Sequence, residues 1–238
     1  MMPAPQKPPP ADRIPDYKVP DAVRLECRVE KPEVMPLRFW PDPILREPAS
    51  AIDPEVTIEM LRVVAEDMAT TMYQTGGVGL AAPQVGLPTP LLVCDVYAQA
   101  DRKMPAHGQR SLLMALLEPR VLSESEAILR ESESCLSFPG LFEPINRPER
   151  IIVRAKSIEG VEVDILAHSW LARVLCHEID HLNGMSFLDR MGDLQRQYAK
   201  RRLQRFRSAV IRDAKPKKGS TKPKPKPRRK KAKGRKRR

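Results

Sequence analysis

The sequence predicts an α+β domain, with mixed or antiparallel strands around a central helix that carries a His-Glu-x-x-His segment. Three observations support it. Ile58, Leu61, Val64, Ala65, Met68 and Met72 recur at helical spacing. Four short β-type segments follow, without the strand–helix alternation of a parallel sheet. A second helical stretch, from about Ser169 to Gly184, contains His177-Glu178-Ile179-Asp180-His181.

Residues 1–35 are rich in proline and lack periodicity, which predicts a disordered or loosely draped arm. Structure is expected from about Leu37. Asp53 followed by Pro54 offers a helix cap and a proline at the first helical position, and Gly76-Gly77 stop the run. The methionines on this helix read as core filler. The β-type segments are Leu91–Val96, Leu116–Leu122, Ile151–Ala155 and Val161–Ala167, with a polar hairpin excursion over Ala98–Ser111. In the second helix Trp170, Val174, His177 and His181 fall near one face, an inward stripe, and Gly184 is a natural residue to end it. A strongly charged third helix covers about Asp193 to Asp213. The expected organisation is an arm (1–35), a main domain (36–192), a charged helix (193–213) and a disordered basic tail (214–238).

The formal charge is +12, but residues 214–238 hold 15 Lys and Arg and no acid, so the remainder sums to −3. The basicity is therefore an appendage. Such a tail cannot bury a core and forms an electrostatic footprint for polyanions, or else a merely solvated end. Four cysteines without a CxxC pair do not make a disulfide framework in 238 residues, and a reducing, intracellular setting is expected, cytoplasmic first with an organellar one left open. No apolar run is long enough to span a bilayer, and no secretory or clear transit segment precedes the domain.

His177 and His181 lie four residues apart, so on a helix both rings can reach one metal ion, with Glu178 beside it as a proton shuttle. A solvated helix with two satisfied histidines is the plain alternative. Gly77-Val78-Gly79-Leu80-Ala81-Ala82-Pro83-Gln84 permits close backbone approach to a ligand and supplies an uncharged amide, or is simply a tight turn. It lacks the spacing of a phosphate loop. In Glu133-Ser134-Cys135-Leu136-Ser137 a cysteine would complete three ligands and leave a fourth tetrahedral position open.

Taken together, and in this order, these stretches resemble the peptide deformylase motifs GxGxAAxQ, EGCLS and QHExDHLxG. Arg38–Arg46 resembles the family's N-terminal segment, and the likeness runs from about residue 36 to 192. The resemblance implies metal-dependent hydrolysis of the N-formyl group from newly made polypeptides, releasing formate. It implies one divalent metal, Fe2+ first and Zn2+, Ni2+ or Co2+ as alternatives, held by Cys135, His177 and His181. Glu178 would pass the proton from water to the leaving amine. The Gln84 amide and the Leu136 backbone N–H would stabilise the oxyanion. Val78, Gly79 and Ser134 would pair with the peptide backbone. For Glu133 and Arg147 it suggests a buried ion pair, with a surface role for Arg147 left open. The basic tail, on this reading, meets ribosomal RNA.

Three positions depart from the usual pattern. Ser134 and Ser169 replace glycines, the latter as an expected helix cap, and Cys176 replaces glutamine. Adjacent helical residues point about 100° apart, so Cys176 is not expected to be a ligand; it reads as a buried inert thiol or a redox partner of Cys135. Two rival readings remain. A zincin-type protease would use the same histidines but take a third His, Asp or Glu, and a ribosome-binding relative would have lost catalysis.

Overall fold

The computed structural model describes residues 17–28, 31–97 and 111–214. The fold is α+β. Helix α1 spans Ile58–Thr75, α2 Ser169–Leu182 and α3 Asp193–Ala214. The strands are β1 (Gly79–Ala81), β2 (Leu91–Cys94), β3 (Met114–Glu124), β4 (Ile128–Glu133), β5 (Glu143–Pro148), β6 (Arg150–Lys156) and β7 (Glu162–His168). Among the described residues, five form an antiparallel sheet in the order β1-β2-β3-β6-β7, while β4 and β5 pair only with each other as a two-stranded ribbon.

Side-chain alternation explains the layers. Along β2, Leu91 and Val93 face α1 with Met68, Met72 and Tyr73, whereas Leu92 and Cys94 face α2 with Leu171, Leu175 and Ile179. A strand covered on both faces needs apolar residues at every position, hence Leu-Leu-Val-Cys. β6 and β7 have one face on the core and one on solvent, so Ile151, Val153 and Ile165 are buried while Ile152 and Leu166 are exposed. β3 serves both halves. Its register shifts between Leu117 and Arg120, where Glu118 takes φ +48°, and this bulge lets one strand pair with β2 and then with β6.

Two expectations about helix starts are corrected. Asp53 does not cap α1; its carboxylate and carbonyl accept from the N–H groups of Glu55 and Val56 in a separate turn, and Thr57 caps the helix by accepting from Met60 N at 3.2 Å. Gly76 ends α1 at φ +75°, as its position predicted. Ser169 is not a side-chain cap either. It sits at φ +51°, the left-handed region that favours glycine, while His168 is the cap residue and the phenol oxygen of Tyr17 accepts from Leu171 N at 3.2 Å.

That contact corrects a third expectation. Within the arm expected to be loose, Tyr17, Val19, Val23 and Leu25 are buried. Arg24 bridges Met114, and Leu25 N donates to Leu113 O, so the segment is fastened along β3. Proline-rich composition does not prevent docking when the few apolar residues meet an open core edge. The excursion at 98–110 and the tail at 215–238 lie outside the described residues. Among those described, no helix is long and apolar enough to cross a membrane.

Candidate metal centre

Helix α2 is buried along most of its length, and its stripe aims His177 and His181 at the loop that follows β4. There Cys135, His177 and His181 offer donor atoms that all lie within 4.8 Å of one another. Cys135 Sγ is 3.2 Å from His181 Nε2. His177 Nδ1 is 2.9 Å from Glu133 Oε2, which leaves Nε2 for the cluster. Burial holds the His181 imidazole well below the usual range, hence neutral, with Nδ1 lacking a protein partner among the described residues. One sulfur and two imidazoles, enclosed and convergent, suit a tetrahedral divalent ion. The third donor is a cysteine, which does not fit the zincin pattern.

Glu178 lies on the cleft side of the same helix. Burial pushes its carboxyl up to about 7, and Oε2 has no hydrogen-bond partner among the described residues. Gly79 makes room for it: a Cβ there would stand 2.4 Å from Glu178 Oε1. Gln84 is held in a defined sense. Its Oε1 accepts from Ala81 N at 2.8 Å, so Nε2 points toward Cys135 Sγ at 3.4 Å and Ser137 Oγ at 3.3 Å. Val78, Gly79, Ser134 and Leu136 all line the adjoining cleft of about 450 Å³, together with Trp170 and Val174. The Val78 carbonyl also accepts from Asp95 N at 2.9 Å. Eight of the nine site residues named from the sequence thus line one cleft, and the ninth, His181, lies fully buried behind it against Cys135 Sγ.

Behind the candidate ligands lies a buried ionic cluster. Arg147 grips Glu133 with Nε at 2.8 Å and Nη2 at 3.0 Å, and reaches Asp180 Oδ2 at 2.7 Å, so its surface alternative is excluded. Burial works against the charge of Glu133, yet hydrogen bonds from His177 and Arg147 hold it far below the usual carboxylate range. Arg173 and Asp180 were missed by sequence reasoning. A signal existed: Arg173 stands four residues before His177, on the same inward stripe, where a free charge would be costly. Cys176 is buried among Leu175, Ile179 and the sheet, in a different cluster from Cys135, and burial pushes its thiol up to about 11. That environment matches the inert reading.

Residues 34–197 match the family model for polypeptide deformylase. Peptide deformylase of Rhizobium meliloti is 38% identical over 185 residues, covering 76% of this chain and 98% of that protein. The Bartonella henselae enzyme is 39% identical over 170 residues, covering 71% and 91%. Among solved structures, a peptide deformylase from Legionella pneumophila matches with TM-score 0.64 at 33% identity, over 77% of this chain and 99% of that one. A plant peptide deformylase matches with TM-score 0.66 at 31% identity, over 79% and 96%. The chain therefore belongs to the peptide deformylase family, metal-dependent hydrolases that remove the N-formyl group from nascent peptides.

Proposed function

We propose that Cys135, His177 and His181 hold the metal, Fe2+ in the native enzyme, and that Glu178, Gln84 and Leu136 carry the proton and the charge of the deformylation. The observation that supports this most is the convergence of one thiol and two imidazoles within 4.8 Å, with Cys135 and His177 lining a cleft shared with Glu178 and Gln84. When bound, the metal supplies a Lewis acid that makes water a nucleophile near neutral pH. Glu178, desolvated and aimed at the cleft, takes a proton from the attacking water and delivers it to the departing amine nitrogen. Gln84 Nε2 and the Leu136 N–H donate to the formyl oxygen as it becomes anionic; losing one such donor typically costs ~2.7–4 kcal/mol of barrier. The C–N bond breaks, leaving formate and a free α-amino group.

Val78, Gly79 and Ser134 align the peptide in strand fashion, and the apolar part of the cleft takes the methionine side chain. The test is formate release from formyl-Met-Ala-Ser after anaerobic reconstitution with Fe2+, for wild type, Glu178→Ala and Gln84→Leu. Wild-type turnover with both variants at least 100-fold slower is expected; an equally active Glu178→Ala removes the proton role.

We further infer domain divisions at 35, 192 and 213, and a bacterial-type cytoplasmic setting, with an organellar one as the alternative. The tail is assigned to ribosomal RNA on its charge alone: 15 cations without an acid. Co-sedimentation of full-length and 1–213 proteins with ribosomes at rising salt tests it, and equal binding at every salt removes the tail from the account.

A further inference from the structure

Cys135 and the two histidines reside on parts of the fold that share little backbone pairing. The histidines ride on α2, whereas Cys135 follows β4, and among the described residues β4 pairs only with β5. The ribbon joins the main sheet at its base, where Ser125 N donates to Arg150 O and Glu149 N to Ala127 O. Cys135 stands at the opposite end, about 20 Å away at strand rise. A lever of that length transmits a small change of angle at the base into an ångström-scale displacement at the thiol. Side chains must therefore fix the gap between ribbon and helix.

Arg173 spans that gap most completely. It is buried, and Nη1 donates to Glu133 Oε1 at 2.7 Å and to Ile145 O at 3.1 Å. Nη2 donates to Leu129 O at 2.8 Å, and Nε lies 3.3 Å from Glu131 Oε2. One guanidinium thus holds both strands of the ribbon, from Leu129 near its base through Glu131 and Ile145 to Glu133 at its ligand end. The planar fork of five N–H groups is required for that; an ammonium cannot address four directions in one plane. Glu133 is the same carboxylate that orients His177. We propose that Arg173 is a positioning residue for the metal centre: by clamping α2 to the β4–β5 ribbon it sets the distance between Cys135 and the two histidines. The inference rests on the metal reading above.

The test loads wild type, Arg173→Met and Arg173→Lys with Co2+ anaerobically, and reads the thiolate-to-cobalt and ligand-field absorption bands, Co2+ affinity against a chromophoric chelator, and Tm. Arg173→Met keeps the aliphatic stem and is expected to bind Co2+ 10–100-fold more weakly, with shifted ligand-field bands. Arg173→Lys is expected to fall between it and wild type. Unchanged affinity and spectrum in Arg173→Met, even with a lowered Tm, would overturn the proposal and leave Arg173 a stability residue. Should Arg173→Met not fold, Arg173→Lys decides the matter by the same affinity and spectrum. A wild type without a thiolate–cobalt band, or a Cys135→Ser that retains it, would sink the metal reading itself.

Discussion

The β1–β2–β3 half of the sheet and the β4–β5 ribbon are built by opposite means. The sheet is sealed between α1 and α2 by Leu, Val, Met and Ala. The ribbon exposes Ile128, Arg130 and Glu131 and turns Glu133, Ile145 and Arg147 inward, where charge pairs do much of the holding. The apolar half tolerates repacking because dispersion and burial are not directional. The ribbon tolerates little, because each buried charge depends on a named partner. The cysteine hangs from the less forgiving half.

Removing the hub of the ribbon should show this most strongly. Glu133→Ala would leave Arg147 and Arg173 buried with reduced compensation and His177 without its orienting acceptor. A loss of about 3–5 kcal/mol is expected, with loss of bound metal in whatever remains folded. Urea denaturation and metal analysis check it; a variant that keeps its metal and loses under 1 kcal/mol would mean the charges are not the ribbon's support.

A matched lesion in the sheet should hurt stability alone. Leu92 is fully buried between β1 and β3. Leu92→Ala should cost about 2–4 kcal/mol, yet metal affinity and kcat per folded molecule should stay within twofold of wild type. If kcat falls in step with stability, the sheet and the site are not separable as claimed.

The same contrast explains what could be read in advance. α1 was legible because its apolar residues follow the helical period, and β2 because a strand covered on both faces is apolar throughout; the candidate ligands stood out because His177 and His181 share a helix face and Cys135 offers a third donor. β4 and β5 were not: Ile-Leu-Arg-Glu-Ser-Glu and Glu-Pro-Ile-Asn-Arg-Pro carry no sustained apolar alternation, since of their buried positions only Ile145 is apolar while Glu133 and Arg147 are ionic. Arg173 and Asp180 looked like ordinary helix charge until Glu133 and Arg147, tens of residues away, supplied their partners. Tyr17 was hidden by prolines, and Thr57 by the nearby Asp53-Pro54 pair, whose turn competes locally with the helix start.

Between the two halves lies Gly79, on β1 but against Glu178. Its substitution separates the proposed proton carrier from the candidate ligands. Gly79→Ala places a methyl where the Glu178 carboxylate stands, so Glu178 must turn away at a cost of about 1–3 kcal/mol. A kcat lower by tenfold or more is expected, with Co2+ affinity near wild type, by formate release and chelator competition. Loss of metal affinity of the same size would show that Glu178 and the ligands move as one body.

The smallest effect should come at the joint. Ser169 opens α2, and its N–H donates to the carbonyl of Glu149 at the base of the ribbon, 2.8 Å away. The residue is held at φ +51°, which costs a non-glycine residue about 1–3 kcal/mol. Glycine relieves that strain but enlarges the unfolded ensemble by about 0.4–1 kcal/mol. The first term is the larger, and the 3.4 Å approach of the hydroxyl to His168 Nδ1 is long for an O–H donor and adds little. Ser169→Gly should therefore raise stability by about 1 kcal/mol, a Tm gain of ~2–4 °C in a domain of this size, with kcat unchanged. A lower Tm would show that rigidity at this hinge outweighs backbone strain, and that the ribbon's angle is set at its base as well as by the charges along it.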